Sequence, residues 1–108
     1  MLGGVFRRWR ANLPPDLKQL EDTLRAALTP YLPRDEDNMF VYSFTLVGPF
    51  KVSIHVDGED RPAPPDVFGL VQAIHECYRK HGVKVEGVHY FMERSDDQSP
   101  WRFRGKAN

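Results

Sequence analysis

The sequence predicts a small α+β domain. The expected form is a two-layer sandwich of order helix-strand-strand-helix-strand, with two helices on one face of a small, mainly antiparallel sheet. Three observations lead there. Residues 16–28 and 66–81 repeat apolar side chains at helical spacing. Residues 50–56 alternate apolar and polar as a half-buried strand does. Gly48-Pro49 stands between two strand-like runs, where a hairpin connection belongs.

The first helix follows Pro14 and Pro15, and Asp16 places negative charge at its positive end. Leu17, Leu20, Leu24, Ala27 and Leu28 form one face; Lys18, Glu21, Asp22 and Arg25 form the other. Pro30 stops it, because the residue before a proline avoids helical dihedrals. A loop over 29–38 carries Pro33 and the acidic run Asp35, Glu36 and Asp37.

The hairpin follows, as strands 39–47 and 50–56. Phe50, Val52, Ile54 and Val56 share one face of its second strand. The first strand alternates by size, Phe40, Tyr42, Phe44 and Leu46 against Met39, Val41, Ser43, Thr45 and Val47. A three-residue loop, 47–49, pairs Phe40 with Val56, Tyr42 with Ile54 and Phe44 with Val52. That register gathers the large apolar groups on the helix side, and it is the one expected; a two-residue turn would put Val52 and Ile54 on the face of Thr45 and Ser43 instead.

Residues 57–65 read as a loop rich in proline, glycine and acid. In the second helix, Val67, Leu70, Val71, Ile74, Cys77 and Tyr78 make the buried stripe. Gly82 fits the position just past its end, after the basic Arg79, Lys80 and His81. The third strand is expected over 83–92, with a β-bulge at Gly87 that shifts the apolar phase from Val83 and Val85 to Val88, Tyr90 and Met92.

Three segments result: a basic-aromatic N-terminal segment, 1–13; the α+β domain, 14–93; and a basic-aromatic C-terminal tail, 94–108. A strand over residues 4–9 would convert the order to βαββαβ, the ferredoxin-like arrangement. That alternative ranks second, because Val5, Arg7 and Trp9 alternating with Phe6, Arg8 and Arg10 buries charge on either face.

With 108 residues the chain can bury one modest core. Its net charge of zero singles out no nucleic-acid or membrane partner, but the distribution is uneven. Arg7, Arg8 and Arg10 stand at one end and Arg102, Arg104 and Lys106 at the other, while every acid lies between Asp16 and Asp97. No run approaches the ~18 apolar residues of a spanning helix. One cysteine, Cys77, permits no internal disulfide, and the first residues lack the apolar stretch of a secretory leader. A cytoplasmic location is expected.

Catalytic and cofactor signals are sparse. No CxxC, HExxH, nucleophile elbow or glycine-rich phosphate loop occurs. Cys77 and His81 stand four apart on one helical side, but Cys77 lies on the apolar stripe, so no metal site and no cofactor are expected. His55 and His89 fall on the polar sheet face, which is the third-ranked reading, an enzyme or metal protein. In the expected register that face carries Ser43, Thr45, Lys51, Ser53, His55, Lys84, Glu86 and His89, with Phe91 its one aromatic. This counts against a base-stacking platform on the sheet.

Two surfaces remain. Asp35, Glu36 and Asp37 precede the hairpin and Asp57, Glu59 and Asp60 follow it, so its closure brings six carboxylates to one end, suited to a basic partner. Arg7, Arg8, Trp9 and Arg10, with Trp101, Arg102, Phe103 and Arg104, interleave aromatics and cations, which suits stacking on single-stranded bases or association of copies of the chain. The leading expectation is a non-enzymatic binding module acting through protein-protein contacts. The alternative is a small nucleic-acid-binding protein using its basic-aromatic termini.

Overall fold

The computed structural model describes residues 14–44 and 50–107. Helix α1 is Pro15–Leu28 and runs into a short 3-10 turn, Thr29–Tyr31. Strand β1 is Asn38–Phe44, β2 is Lys51–Val56 and β3 is Glu59–Pro62. Helix α2 is Pro65–Lys80, β4 is Val88–Glu93 and β5 is Arg102–Ala107. The strands form one antiparallel sheet in the order β3-β2-β1-β4-β5. Both helices pack on one face of it, as expected. The ferredoxin-like alternative turns on a strand over 4–9, which lies outside the described residues.

Each helix begins on a proline pair, Pro14-Pro15 and Pro64-Pro65, with the second proline in the first helical turn, where no amide donor is needed. The far end of α2 is a Schellman motif: the Val83 amide donates to the Tyr78 carbonyl at 2.8 Å and the Gly82 amide to that of Arg79 at 3.0 Å. Gly82 has φ +76, the left-handed conformation such an ending requires. Leu17, Leu24 and Leu28 of α1 and Val67, Val71, Ile74 and Tyr78 of α2 are buried against Met39, Val41, Val52, Ile54, Val56, Val88, Tyr90 and Met92 of the sheet.

The hairpin register differs from the expected one. Phe40 pairs with His55, Val41 with Ile54, Tyr42 with Ser53 and Ser43 with Val52. This one-residue shift turns β1 over. Met39, Val41 and Ser43 face the helices, and Phe40 and Tyr42 face the other way. The physical reason is space. β1 is the central strand, flanked by β2 and β4. Tyr78 of α2 and Tyr90 and Met92 of β4 already fill the layer beneath the sheet, so mid-sized residues fit at its centre. Ser43 adds a polar reason: its hydroxyl lies 2.7 Å from Nε2 of the buried His75.

Three further expectations are corrected. The segment 57–65 is not only a loop. It opens with a two-residue turn, in which Asp57 (φ 55) and Gly58 (φ 74) both take positive φ, and continues as β3. Two successive positive φ values give the turn the twist that matches paired strands. Residues 83–87 are irregular and the strand starts at Val88, so no bulge is needed to explain the phase of Val88, Tyr90 and Met92. Gly87 serves a different purpose: a Cβ there would sit 2.5 Å from the Ser43 carbonyl oxygen, so its missing side chain permits a close backbone approach. Finally, Arg102–Ala107, expected in a tail, is an edge strand on β4. Phe103 and Ala107 turn to the helix side, where the Phe103 ring stacks on Tyr90 at 5.2 Å and 11°. Alternation of aromatic and cation thus reflects a strand with one buried face, not a solvated segment.

Candidate functional site

On the sheet face away from the helices, register places side chains in two rows that cross the strands. One row runs Asp60, His55, Phe40, Phe91, Arg104; the next runs Pro62, Ser53, Tyr42, His89, Lys106. Neighbouring rows are two residues apart along each strand, or about 7 Å. Each row is aromatic in the middle and ends in a cation on β5. Among the described residues, no helix covers this face.

The aromatic groups pack on one another. Phe40 meets Phe91 edge to face at 5.1 Å and tilts against His55 at 5.9 Å. Tyr42 and His89 meet at 6.1 Å, and His89 and Phe91 at 6.5 Å. Phe40, Tyr42, His55, His89 and Phe91 are all half-buried, with Val41 and Asp60 completing the lining of a shallow depression of about 560 Å³. A second hollow, against Phe91, is bounded by Arg104, Gly105 and Lys106. Half-buried rings set edge to face, beside exposed cations, leave individual ring faces and edges to meet flat, anionic ligands.

A polar chain closes the β3 side. His55 Nδ1 lies 2.6 Å from Asp60 Oδ1, and the Tyr42 hydroxyl also hydrogen-bonds Asp60. The His55 bond, then that of Tyr42, holds the Asp60 carboxyl below its usual range. Burial, and next the Asp60 carboxylate, pushes the Tyr42 phenol up. Burial, with a smaller effect of Lys106, lowers the His89 pKa and so favours its neutral ring. The site therefore has a carboxylate at one edge and cations at the other. Glu93 on the same face pairs with Arg104 at 2.9 Å.

The acidic residues singled out by sequence are mostly engaged. The hairpin ends do meet: the Asp57 amide donates to Glu36 Oε2 at 3.0 Å. Asp37 accepts from Arg94 at 2.8 Å, Glu59 pairs with Arg61 at 3.2 Å, and Asp60 is held by His55. Asp35 is exposed beside them.

The C-terminal group divides. Trp101 and Phe103 pack against the core, and the Arg94 guanidinium lies 4.7 Å over the Trp101 ring. Arg102 and Arg104 are exposed on β5. Arg7, Arg8, Trp9 and Arg10 lie outside the described residues.

Sequence reasoning missed Phe40 and Tyr42 as surface aromatics, because it sent them into the core. No local signal sets the facing of β1, but Asp57-Gly58, the strongest short hairpin motif in the chain, marks a further turn. Had it been read, β3 would have appeared beside β2 and His55 beside Asp60.

His55 and His89 do share the open face, but β1 separates their strands. Among the described residues, Asp16, Cys77 and His81 are brought together at one end of the helix layer, with donor atoms within 4.8 Å of one another. No described helix is long and apolar enough to cross a membrane. No family model, curated protein or solved structure matches the chain.

Proposed function

We propose that this protein is a binding module for single-stranded nucleic acid, using the open face of its sheet. The observation that carries the reading is the pair of rows in which Phe40 and Phe91, and Tyr42 and His89, lead to Arg104 and Lys106. Bases stack on rings whatever their sequence, and cations along one edge pair with the phosphates. Arg102 and Lys51 lie at further positions of the same face by strand alternation. The reading keeps the C-terminal cations as the phosphate contacts and moves stacking from the terminal aromatics to the sheet. It also accounts for half-buried rings that no described element covers.

Protein docking through the acidic end has less support: it would draw Glu36, Asp37, Glu59 and Asp60 from four internal partners, whereas the sheet-face reading draws Arg104 from one, Glu93. Their charge is partly spoken for before any ligand arrives.

Fluorescence anisotropy with short single-stranded RNA and DNA, at two or more salt concentrations, tests the proposal. Binding is expected at low salt, and Phe91→Ala should weaken it by about 1–3 kcal/mol, roughly 5- to 150-fold. Replacing Arg104 and Lys106 by Ala should reduce the slope of log K against log salt by about 0.7 for each phosphate no longer neutralised. Absence of binding at low salt, or equal affinity of Phe91→Ala and Tyr42→Ala with the parent, would refute it.

A further inference from the structure

The helix layer carries a second chemical constellation, on the other side of the sheet from its open aromatic face. Asp16 lies in the first turn of α1; Cys77 and His81 lie one turn apart at the end of α2. The proline pair at residues 14 and 15 starts α1 so that Asp16 meets the end of α2. His81 Nε2 is 3.0 Å from both carboxylate oxygens of Asp16. The Cys77 thiol, 6% exposed as a residue, hydrogen-bonds the same carboxylate from below. One ligand atom from each residue falls in a cluster no more than 4.8 Å across.

We propose that Asp16, Cys77 and His81 form a site for a zinc-class divalent cation, with three protein donors and a fourth position open to solvent. The donor set decides the class. A thiolate, an imidazole nitrogen and a carboxylate suit zinc or cobalt, whereas calcium and magnesium take oxygen donors throughout. Size agrees as well. Bonds of about 2.0–2.3 Å in a tetrahedron put donors roughly 3.3–3.8 Å apart. The 3.0 Å approaches of His81 to Asp16 would open slightly and the widest separation would close, both by side-chain rotation. Access exists, because the side chains of His81 and Asp16 are 31% and 41% exposed. The metal takes the place of the Cys77 thiol proton, which leaves to water. Lys80, 3.4 Å from Asp16, is exposed and can swing away. A bound ion would clip the start of α1 to the end of α2, where exposed ion pairs of little worth and the Cys77 hydrogen bond to Asp16 now join them.

Cobalt(II) titration of the full chain tests this, with absorption read in the thiolate-to-cobalt charge-transfer region, followed by displacement with Zn(II). One cobalt per chain is expected, with the charge-transfer band lost in Cys77→Ser and a higher melting temperature in zinc. Loss of even an outer partner weakens a metal site by about 10–100-fold, so Asp16→Asn and His81→Gln should each weaken cobalt binding at least about tenfold. These two positions are partly exposed, so the result does not depend on whether Cys77→Ser folds. No thiolate-cobalt band at millimolar cobalt overturns the proposal. So does unchanged affinity in Asp16→Asn and His81→Gln, which would place the metal elsewhere.

Discussion

Replacing Ser43 by alanine should destabilise the fold by about 2–4 kcal/mol, although only one hydroxyl is removed. Ser43 is 1% exposed and sits where the paired register of β1 and β4 ends, at Tyr42 and His89. The next amide, that of Val88, donates to the Ser43 hydroxyl at 3.0 Å, and that hydroxyl reaches His75 Nε2 at 2.7 Å. All three groups are satisfied when the hydroxyl donates to a neutral imidazole. Alanine leaves a buried amide and a buried ring nitrogen without this partner, each costing about 1–3 kcal/mol, with some relief if water enters. Against a total stability of about 5–15 kcal/mol, the effect is large.

The pH dependence supplies a second readout. Burial, and then the Arg79 charge, holds the His75 pKa below its ordinary 6.5. The unfolded chain therefore binds the proton more readily than the folded one. His75 contributes stability that is fully present above pH 6.5 and is lost as pH falls below 6.5 toward the depressed folded value. Urea unfolding at several pH values, with the slope m unchanged, measures both effects. A Ser43→Ala loss within about 0.5 kcal/mol of zero would refute the argument from buried donors. For the pH argument, the His75→Phe variant should show a shallower fall in stability between about pH 7 and pH 5 than the parent; an identical fall would refute it.

Two other substitutions probe the layer beneath the sheet. Gly87→Ala should destabilise by about 1–3 kcal/mol, because its Cβ would meet the Ser43 carbonyl oxygen at 2.5 Å; a melting temperature equal to the parent's would show that the backbone yields freely. Tyr90→Phe removes the hydroxyl that donates to the buried Glu21 carboxylate at 2.6 Å, and should cost about 1.5–3 kcal/mol by denaturant unfolding. Combining it with Glu21→Gln should cost less than the two single changes added together, since both remove one bond. Strict additivity would mean the two groups act independently.

The experiments on the two surfaces are independent of these. Nucleic-acid binding reads the sheet face, and cobalt binding reads the helix ends. Phe91 and Arg104 lie on the side of the sheet away from the helices, whereas Asp16, Cys77 and His81 lie in the helix layer, so either result stands without the other.

Both helices were determined by sequence alone to within a residue at each end. Proline pairs start them, an apolar stripe at helical spacing orients them, and Gly82 ends the second. These signals are local, so no distant residue is needed to read them. The inward face of β2, with Val52, Ile54 and Val56, was equally plain from its alternation. From these follows the fold class, two helices on one face of an antiparallel sheet.

Only the tertiary structure decided which way β1 faces. Its two alternating sets are both apolar enough to be buried, and the smaller set, Met39, Val41 and Ser43, is the one turned to the helices. The choice depends on the volume that Tyr78, Tyr90 and Met92 leave beneath the central strand, and on a buried histidine that takes Ser43 as its partner. Strand pairing across β4 and β5 was also nonlocal: Phe103 belongs inside because Tyr90 waits there, which no short window of sequence reveals. The open aromatic face and the meeting of Asp16 with Cys77 and His81 have the same origin. Each joins residues far apart in the chain, so residue types made the chemistry legible while packing alone determined where it assembled.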